Sequence, residues 1–237
     1  MGSIRQFLFD AFSRRIFYGW VILGVCMVLF FSSGPGQSHS FSVFISSINA
    51  ELGISFTSFS VAYGGATLIA AFLLPHFGRL VEAQGSFRMF LVIGTFLGLA
   101  CIGFGMVQNF ALLALAFAAL RFFGQGALML LCATLVAQWF HAKRGFAMGL
   151  MALGFAASMA IHPMLAVWLD GMFGWRDAWM WLGIITWATV LPLALLFVHN
   201  KPEEAGLSPD GRRGDEGEED GSDAARASAD YGLNLKE

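Results

Sequence analysis

Arg121 is the one Asp, Glu, Lys or Arg well inside any of the long apolar runs of this 237-residue sequence. It lies in ALRFFGQGALML, with Gln125 one helical turn further on. Placing a guanidinium at the centre of a membrane helix costs at least about 2.5–3.5 kcal/mol on insertion scales, so something must offset it. None of the runs holds a carboxylate. The remaining partners are main-chain carbonyls, Gln125, Gln37, serines, water or an anionic ligand. A guanidinium can grip a carboxylate through two parallel hydrogen bonds, which makes Arg121 a candidate for binding an organic anion. A structural arginine bonded to the carbonyls of a neighbouring helix fits the same residues, and the sequence leaves both readings open.

A second candidate is FSSGPGQSHSFSV, which ends at Val43 and interrupts the first apolar run near its midpoint. Proline removes a backbone donor and glycine loosens the turn. The freed polar groups must face protein or a water-filled cavity rather than lipid. Gln37, Ser38, His39 and Ser40 follow at once, and broken helices bearing polar groups near midplane are a recurrent way to build a transporter's substrate site. A tolerated kink is the alternative, with the serines bonded back to carbonyls and His39 neutral. His162, just before Pro163, joins His39 as a candidate for proton coupling, because imidazole titrates near neutral pH. His76, His141 and His199 lie near run boundaries, and no pair has metal-ligand spacing.

These residues sit in a chain that is 57% hydrophobic and 13% charged, with 25 Phe and 11 Met. A soluble domain carries about twice that charged fraction. The composition is that of a membrane protein whose partner is the lipid bilayer. Cys26, Cys101 and Cys132 all lie in apolar runs and form no CxxC pair, so they read as small buried side chains. No P-loop, nucleophile elbow, HExxH or dinucleotide fingerprint is present, which proposes neither an enzyme nor a cofactor or metal. Basic residues do not cluster with aromatics, which argues against nucleic acid.

Six segments are long enough to cross a bilayer core, near 17–48, 57–77, 89–106, 110–138, 145–169 and 178–198. They read as helices because they are apolar on all faces and lack a period of two. Arg5, Arg14 and Arg15 precede the first; Arg79 and Arg88 lie in the second link, Lys143 and Arg144 in the fourth. That distribution places both termini in the cytoplasm. Ser13-Arg14-Arg15-Ile16-Phe17 is similar to an export signal, but five further apolar segments follow, so it reads as an anchor for the first helix. Gly94 with Gly98, and Gly145, Gly149 and Gly154, stand at helix-packing spacing. The resulting division is a cytoplasmic N-terminal segment 1–16, a transmembrane domain 17–198 and an acidic tail 199–237. Five basic residues face eleven acidic ones in that tail, which is rich in Gly and Ser, and most of it is expected to be disordered.

Several stretches resemble the major facilitator superfamily. Gly78-Arg79-Leu80-Val81-Glu82-Ala83-Gln84-Gly85-Ser86-Phe87-Arg88 is similar to its loop between helices two and three. Gly78, Leu80, Gly85 and Arg88 fit, Glu82 replaces an Asp, and Ala83 and Ser86 replace basic residues. Arg121 with Gly124 and Gly126 resembles the R-x-x-x-G motif of the fourth helix, imperfectly spaced. Tyr18-Gly19-Trp20-Val21, the WFHAKRGFAMG stretch beginning at Trp139, and Gly174-Trp175-Arg176 look like the monocarboxylate transporter-like branch, which includes oxalate–formate antiporters.

The resemblance implies an all-α membrane protein in which six transmembrane helices form one half of a major facilitator fold, as two inverted three-helix repeats. Pro202 to Gly211 looks like the central loop leading to helix seven, so the expectation is an N-terminal half in a bacterial inner membrane. The implied function is secondary transport, by symport or antiport, of a small monocarboxylate-like anion. Arg121, His39, Gln37, Ser38 and Gln125 would form the site, and Gly78, Glu82, Gly85 and Arg88 the gating loop. A partner half or a second copy would complete the cavity; two copies would set two Arg121 charges against each other in a medium that screens poorly. An inactive half-transporter and a membrane-embedded interaction subunit are the alternatives.

Overall fold

The computed structural model describes residues 2–13, 16–203 and 206–211; these are helices joined by short turns and links, with no strand among them. In order they form α1 (Gly2–Ser13), α2 (Gly19–Phe31), α3 (Ser38–Phe41), α4 (Ile45–Leu52), α5 (Phe56–Gln84), α6 (Ser86–Gly105), α7 (Phe110–Leu120), α8 (Met129–Trp139) and α9 (Arg144–Phe197). A π-helical segment, Arg121–Leu128, joins α7 to α8 without a break, so Phe110–Trp139 runs as one rod. Among the described residues, four helices are long and apolar enough to cross a membrane: Phe56–Gln84, Ser86–Gly105, Phe110–Trp139 and Arg144–Phe197. The shorter apolar α2 leads into the interrupted stretch.

Helix ends follow from capping residues. Ser55 accepts the Ser58 amide at 3.1 Å to start α5, and Asn109 accepts the Leu112 amide at 2.9 Å to start α7. The expected polar links 78–88 and 170–177 are corrected by the structure. Helix runs through both, and each reduces to one glycine with positive φ, Gly85 (83°) and Gly174 (77°), with ψ of 152° and 162°. Charged residues mark where an apolar run stops, but they are sound helix formers; only a residue that can adopt φ > 0 turns the chain there. At 29 residues α5 is roughly 44 Å long, more than a hydrocarbon core of about 30 Å requires.

The core is aromatic. Trp179 lies 4.3 Å from Phe104 between ring centroids, Phe104 5.1 Å from Phe117, and Phe117 5.2 Å from Phe41. Gly94 and Gly98 of α6 lie under Val190 and Trp187 of α9. Phe72, Leu115, Met164 and Leu68 point outward, as a wall meeting hydrocarbon requires.

At one end of the bundle the N-terminal segment contains the helix α1, which its residues had not announced; Arg14 and Arg15 lie outside the described residues. Arg5 donates to the Val198 carbonyl and lies over the Phe87 ring, while the Tyr18 hydroxyl donates to the Phe197 carbonyl at 2.9 Å. Burial, with Arg5 adjacent, pushes the His199 pKa down to about 4. The expected disorder of the tail does not extend to its first residues. Asp210 (φ 59°) accepts the amides of His141, Ala142 and Lys143 at 3.0, 2.7 and 3.3 Å, and Gly211 packs on Phe17. Residues 212–237 lie outside the described residues.

At the opposite end Glu51 accepts the Trp175 indole N–H at 2.6 Å and pairs with Arg176 at 2.8 Å. Arg176 also donates to the Gly105 carbonyl at 2.9 Å, so one clasp ties the ends of α4 and α6 to the bend at Gly174. The Trp175 and Arg176 hydrogen bonds hold the Glu51 carboxyl below its usual range. Stability from such a group is present above its unfolded pKa and is lost as pH falls through the folded one. Glu51→Gln should therefore lower the melting temperature by a few degrees at neutral pH, with the difference from wild type shrinking once pH falls below about 4.3, the ordinary glutamate value, and gone only when the folded-state carboxyl is itself protonated; circular dichroism melts in detergent across pH check it.

Candidate functional site

The interrupted stretch explains its own serines. After α2 the chain makes a 3-10 turn, Gly34–Gly36, and Gln37 is extended (φ −100°, ψ 152°) before α3 begins. Pro35 has no amide to offer, and the turn releases carbonyls from the helix ladder. Ser32 donates to the Val28 carbonyl, Ser33 to that of Phe30 at 2.7 Å and Ser40 to that of Gly34 at 2.6 Å. Ser32, Ser33 and Ser40 thus bond back to the main chain in an otherwise apolar interior. Gln37 is buried, donating to Met129 Sδ at 3.2 Å and Ser33 Oγ at 3.4 Å. Ser38 is exposed.

The Gly36 carbonyl takes a different partner. Arg121 Nη1 donates to it at 3.3 Å, and Arg121 Nε donates to Thr67 Oγ1 at 3.1 Å. Thr67 gives its own proton to the Tyr63 carbonyl at 2.9 Å, so its oxygen is left to accept from the arginine. The Tyr63 ring covers the guanidinium at 4.6 Å, a contact worth on the order of 2 kcal/mol when desolvated. Arg121 is only 7% exposed, and every partner named here is neutral. It keeps a full positive charge that α5 and the turn cradle without cancelling.

Two local features put Arg121 there. Arg121 opens the π segment, whose wide turn carries Arg121, Gln125 and Gly126 onto one wall. These three, with Thr67, Ala70, Ala71 and Leu74 of α5, line a cavity of about 190 Å³. The buried Gln125 Oε1 has no hydrogen-bond partner among the described residues. The second feature is a backbone-to-backbone contact. A Cβ on Gly36 would stand 2.6 Å from the Leu120 carbonyl oxygen and 2.8 Å from Gly124 Cα, so only glycine lets the turn reach the π segment.

The predicted residues therefore separate. Arg121 and Gln125 share the cavity, and Gln37 is packed nearby under Met129. His39 looks toward α9 instead: its Nε2 is 3.3 Å from Ser158 Oγ, which is 3.1 Å from His162 Nδ1. Of the gating residues, Gly78 and Glu82 are within α5, Glu82 and Arg88 are exposed, and Gly85 makes the turn. Asn200 docks at that turn, accepting the Phe87 amide at 2.8 Å. Sequence reasoning missed Tyr63, Thr67 and Ser158. Tyr63 and Thr67 are four apart on one face of an apolar helix, a signal that was available.

Residues 21–228 match the family model of the Major Facilitator Superfamily. The chain belongs to that superfamily. It is also 24% identical over 178 residues to an uncharacterized 38 kDa protein in the 23S RNA operon of Thermoproteus tenax. The alignment covers 75% of this chain and 46% of that relative, so the chain spans about half the relative's length. Superfamily membership and the apolar helices make this an integral membrane protein, and members of the superfamily are transporters rather than enzymes.

The glycine contact yields a stability prediction. Gly36→Ala or Gly124→Ala should cost about 1–3 kcal/mol through overpacking. Gly64→Ala, whose added Cβ meets nothing within 4 Å, should be neutral or slightly stabilising. Denaturant or thermal unfolding in detergent measures both.

Proposed function

We propose that this chain forms one six-pass half of a secondary active transporter for small, monocarboxylate-like organic anions. The observation that carries the reading is the buried Arg121 guanidinium, held by Thr67, Gly36 and Tyr63 at the edge of a cavity with no carboxylate among these partners. A charge so placed is stabilised most by an incoming anion, and a guanidinium binds a carboxylate with good geometry. Gln125, whose side-chain amide lies in the same wall and has N–H groups to donate, and Gln37 support the site. Six passes arise if α2 to α4 cross together and α9 crosses twice about Gly174. The near-equal backbone angles of Gly85 and Gly174 favour two three-helix repeats. The Tyr18–Val21, Trp139–Gly149 and Gly174–Arg176 stretches favour the monocarboxylate transporter-like or oxalate–formate branch. The basic residues of the links orient the termini to the cytoplasm of a bacterial cell. The other half, on the same chain or another, supplies the facing wall, and the two rock about the site in alternating access.

Uptake of labelled small carboxylates into proteoliposomes tests this. Arg121→Ala should lower uptake at least roughly tenfold, the equivalent of losing one charge-assisted hydrogen bond. Arg121→Lys, which keeps the charge without the fork, should fall between. Wild-type uptake by Arg121→Ala sinks the assignment.

A further inference from the structure

Across the Gly34–Gly36 turn from Arg121 lies a second polar cluster. His39 Nε2 stands 3.3 Å from Ser158 Oγ, Ser158 Oγ 3.1 Å from His162 Nδ1, and the two imidazole centroids are 6.3 Å apart. Ser158 is fully buried and His162 is 4% exposed, while His39 is half-buried and reaches the edge of the cluster. Ser32, Ser33 and Ser40 each give their proton to a main-chain carbonyl. Ser158 differs: its hydroxyl partners among the described residues are the two imidazoles. A hydroxyl has one proton to give, and a neutral imidazole has one N–H. With Ser158 between them, the chain of hydrogen bonds can point from His39 to His162 or the reverse.

We propose that His39, Ser158 and His162 form a proton-carrying site, separate from the Arg121 cavity, that couples anion transport to one proton. This rests on the anion-transport reading above. His39, having taken a proton from water, gives its Nε2 proton to Ser158 Oγ. Ser158 releases its own to His162 Nδ1. The N–H bond of His39 breaks as that of His162 forms, and one positive charge moves from the half-buried ring to the buried one. Among the described residues, no other titratable side chain contacts the two rings. The rings are faced by Phe31, Gly34 and Phe155, and residues 17–50 and 145–169 contain no Asp, Glu, Lys or Arg. Arg121 meets the turn from its other side, at Gly36, and Tyr63 lies with it.

An added proton therefore joins a region that already holds an uncancelled guanidinium, which is unfavourable in a low dielectric unless an anion is present. The shared turn conveys this. Arg121 bonds the Gly36 carbonyl, Ser40 bonds that of Gly34, and the His162 ring packs where a Gly34 side chain would be. The expected outcome is movement of a carboxylate with one proton and no net charge.

The test uses the full chain in proteoliposomes with labelled small carboxylates, comparing exchange at equal pH with accumulation driven by about pH 6 outside and about pH 7.5 inside, a window spanning ordinary imidazole titration. Wild type should accumulate substrate several-fold above equilibrium. Ser158→Ala should lose accumulation while its exchange falls less than about threefold, and Ser158→Thr, which restores a hydroxyl, should recover it. Accumulation by Ser158→Ala equal to wild type overturns the proton site and leaves the anion reading intact. Absence of exchange in wild type, reconstituted both alone and together with the facing half, overturns the anion reading and this inference with it. Independently of transport, nitrogen-15 histidine spectra in nanodiscs should show His39 and His162 shifting together with pH, and separately in Ser158→Ala; separate titration in wild type also overturns the proposal.

Discussion

The hydrogen bond from Arg121 to the Gly36 carbonyl joins two costly features, and most of the site follows from it. A helix broken inside an apolar bundle releases carbonyls that must find donors. A guanidinium in the same bundle needs acceptors. Each answers part of the other's need, but only because glycine at 36 and 124 lets the two backbones touch. The match is incomplete in charge: a carbonyl supplies a dipole and no negative charge. That residual positive charge is what the proposed anion would meet.

The interrupted segment therefore has two working sides. One side presents the Gly36 carbonyl to the π segment and α5; the other presents Gly34 and His39 to α9. Only three residues of chain form the turn between them. A movement of the turn that satisfies one side alters the geometry of the other. The surrounding aromatic core, from Phe41 through Phe117 and Phe104 to Trp179, gives it a stiff surface to move against.

Much of the fold could be read from the residues, and the failures have one cause. Apolar runs located the helices, since a membrane interior imposes a crude pattern. Helix ends were misplaced at 78–88 and 170–177 because charge reports where the apolar run stops, whereas the turn depends on Gly85 and Gly174 alone. At the site, Arg121 and Gln125 stood out by their cost. Tyr63 and Thr67 were hidden because each is tolerable in an apolar helix by itself, and their role depends on packing between helices. Ser158 was indistinguishable by type from the serines that merely close a backbone bond; its imidazole partners come from 119 residues and 4 residues away.

The docking of Asp210 has a consequence for whatever the chain does after it. With its carboxylate holding three successive amides and Gly211 seated on Phe17, the polypeptide is moored twice over before it continues. The onward path starts beside Phe17, at the root of α2. A pull on the strongly acidic stretch that follows would be delivered as torque to the corner where α8 meets α9, the helix that carries Ser158 and His162.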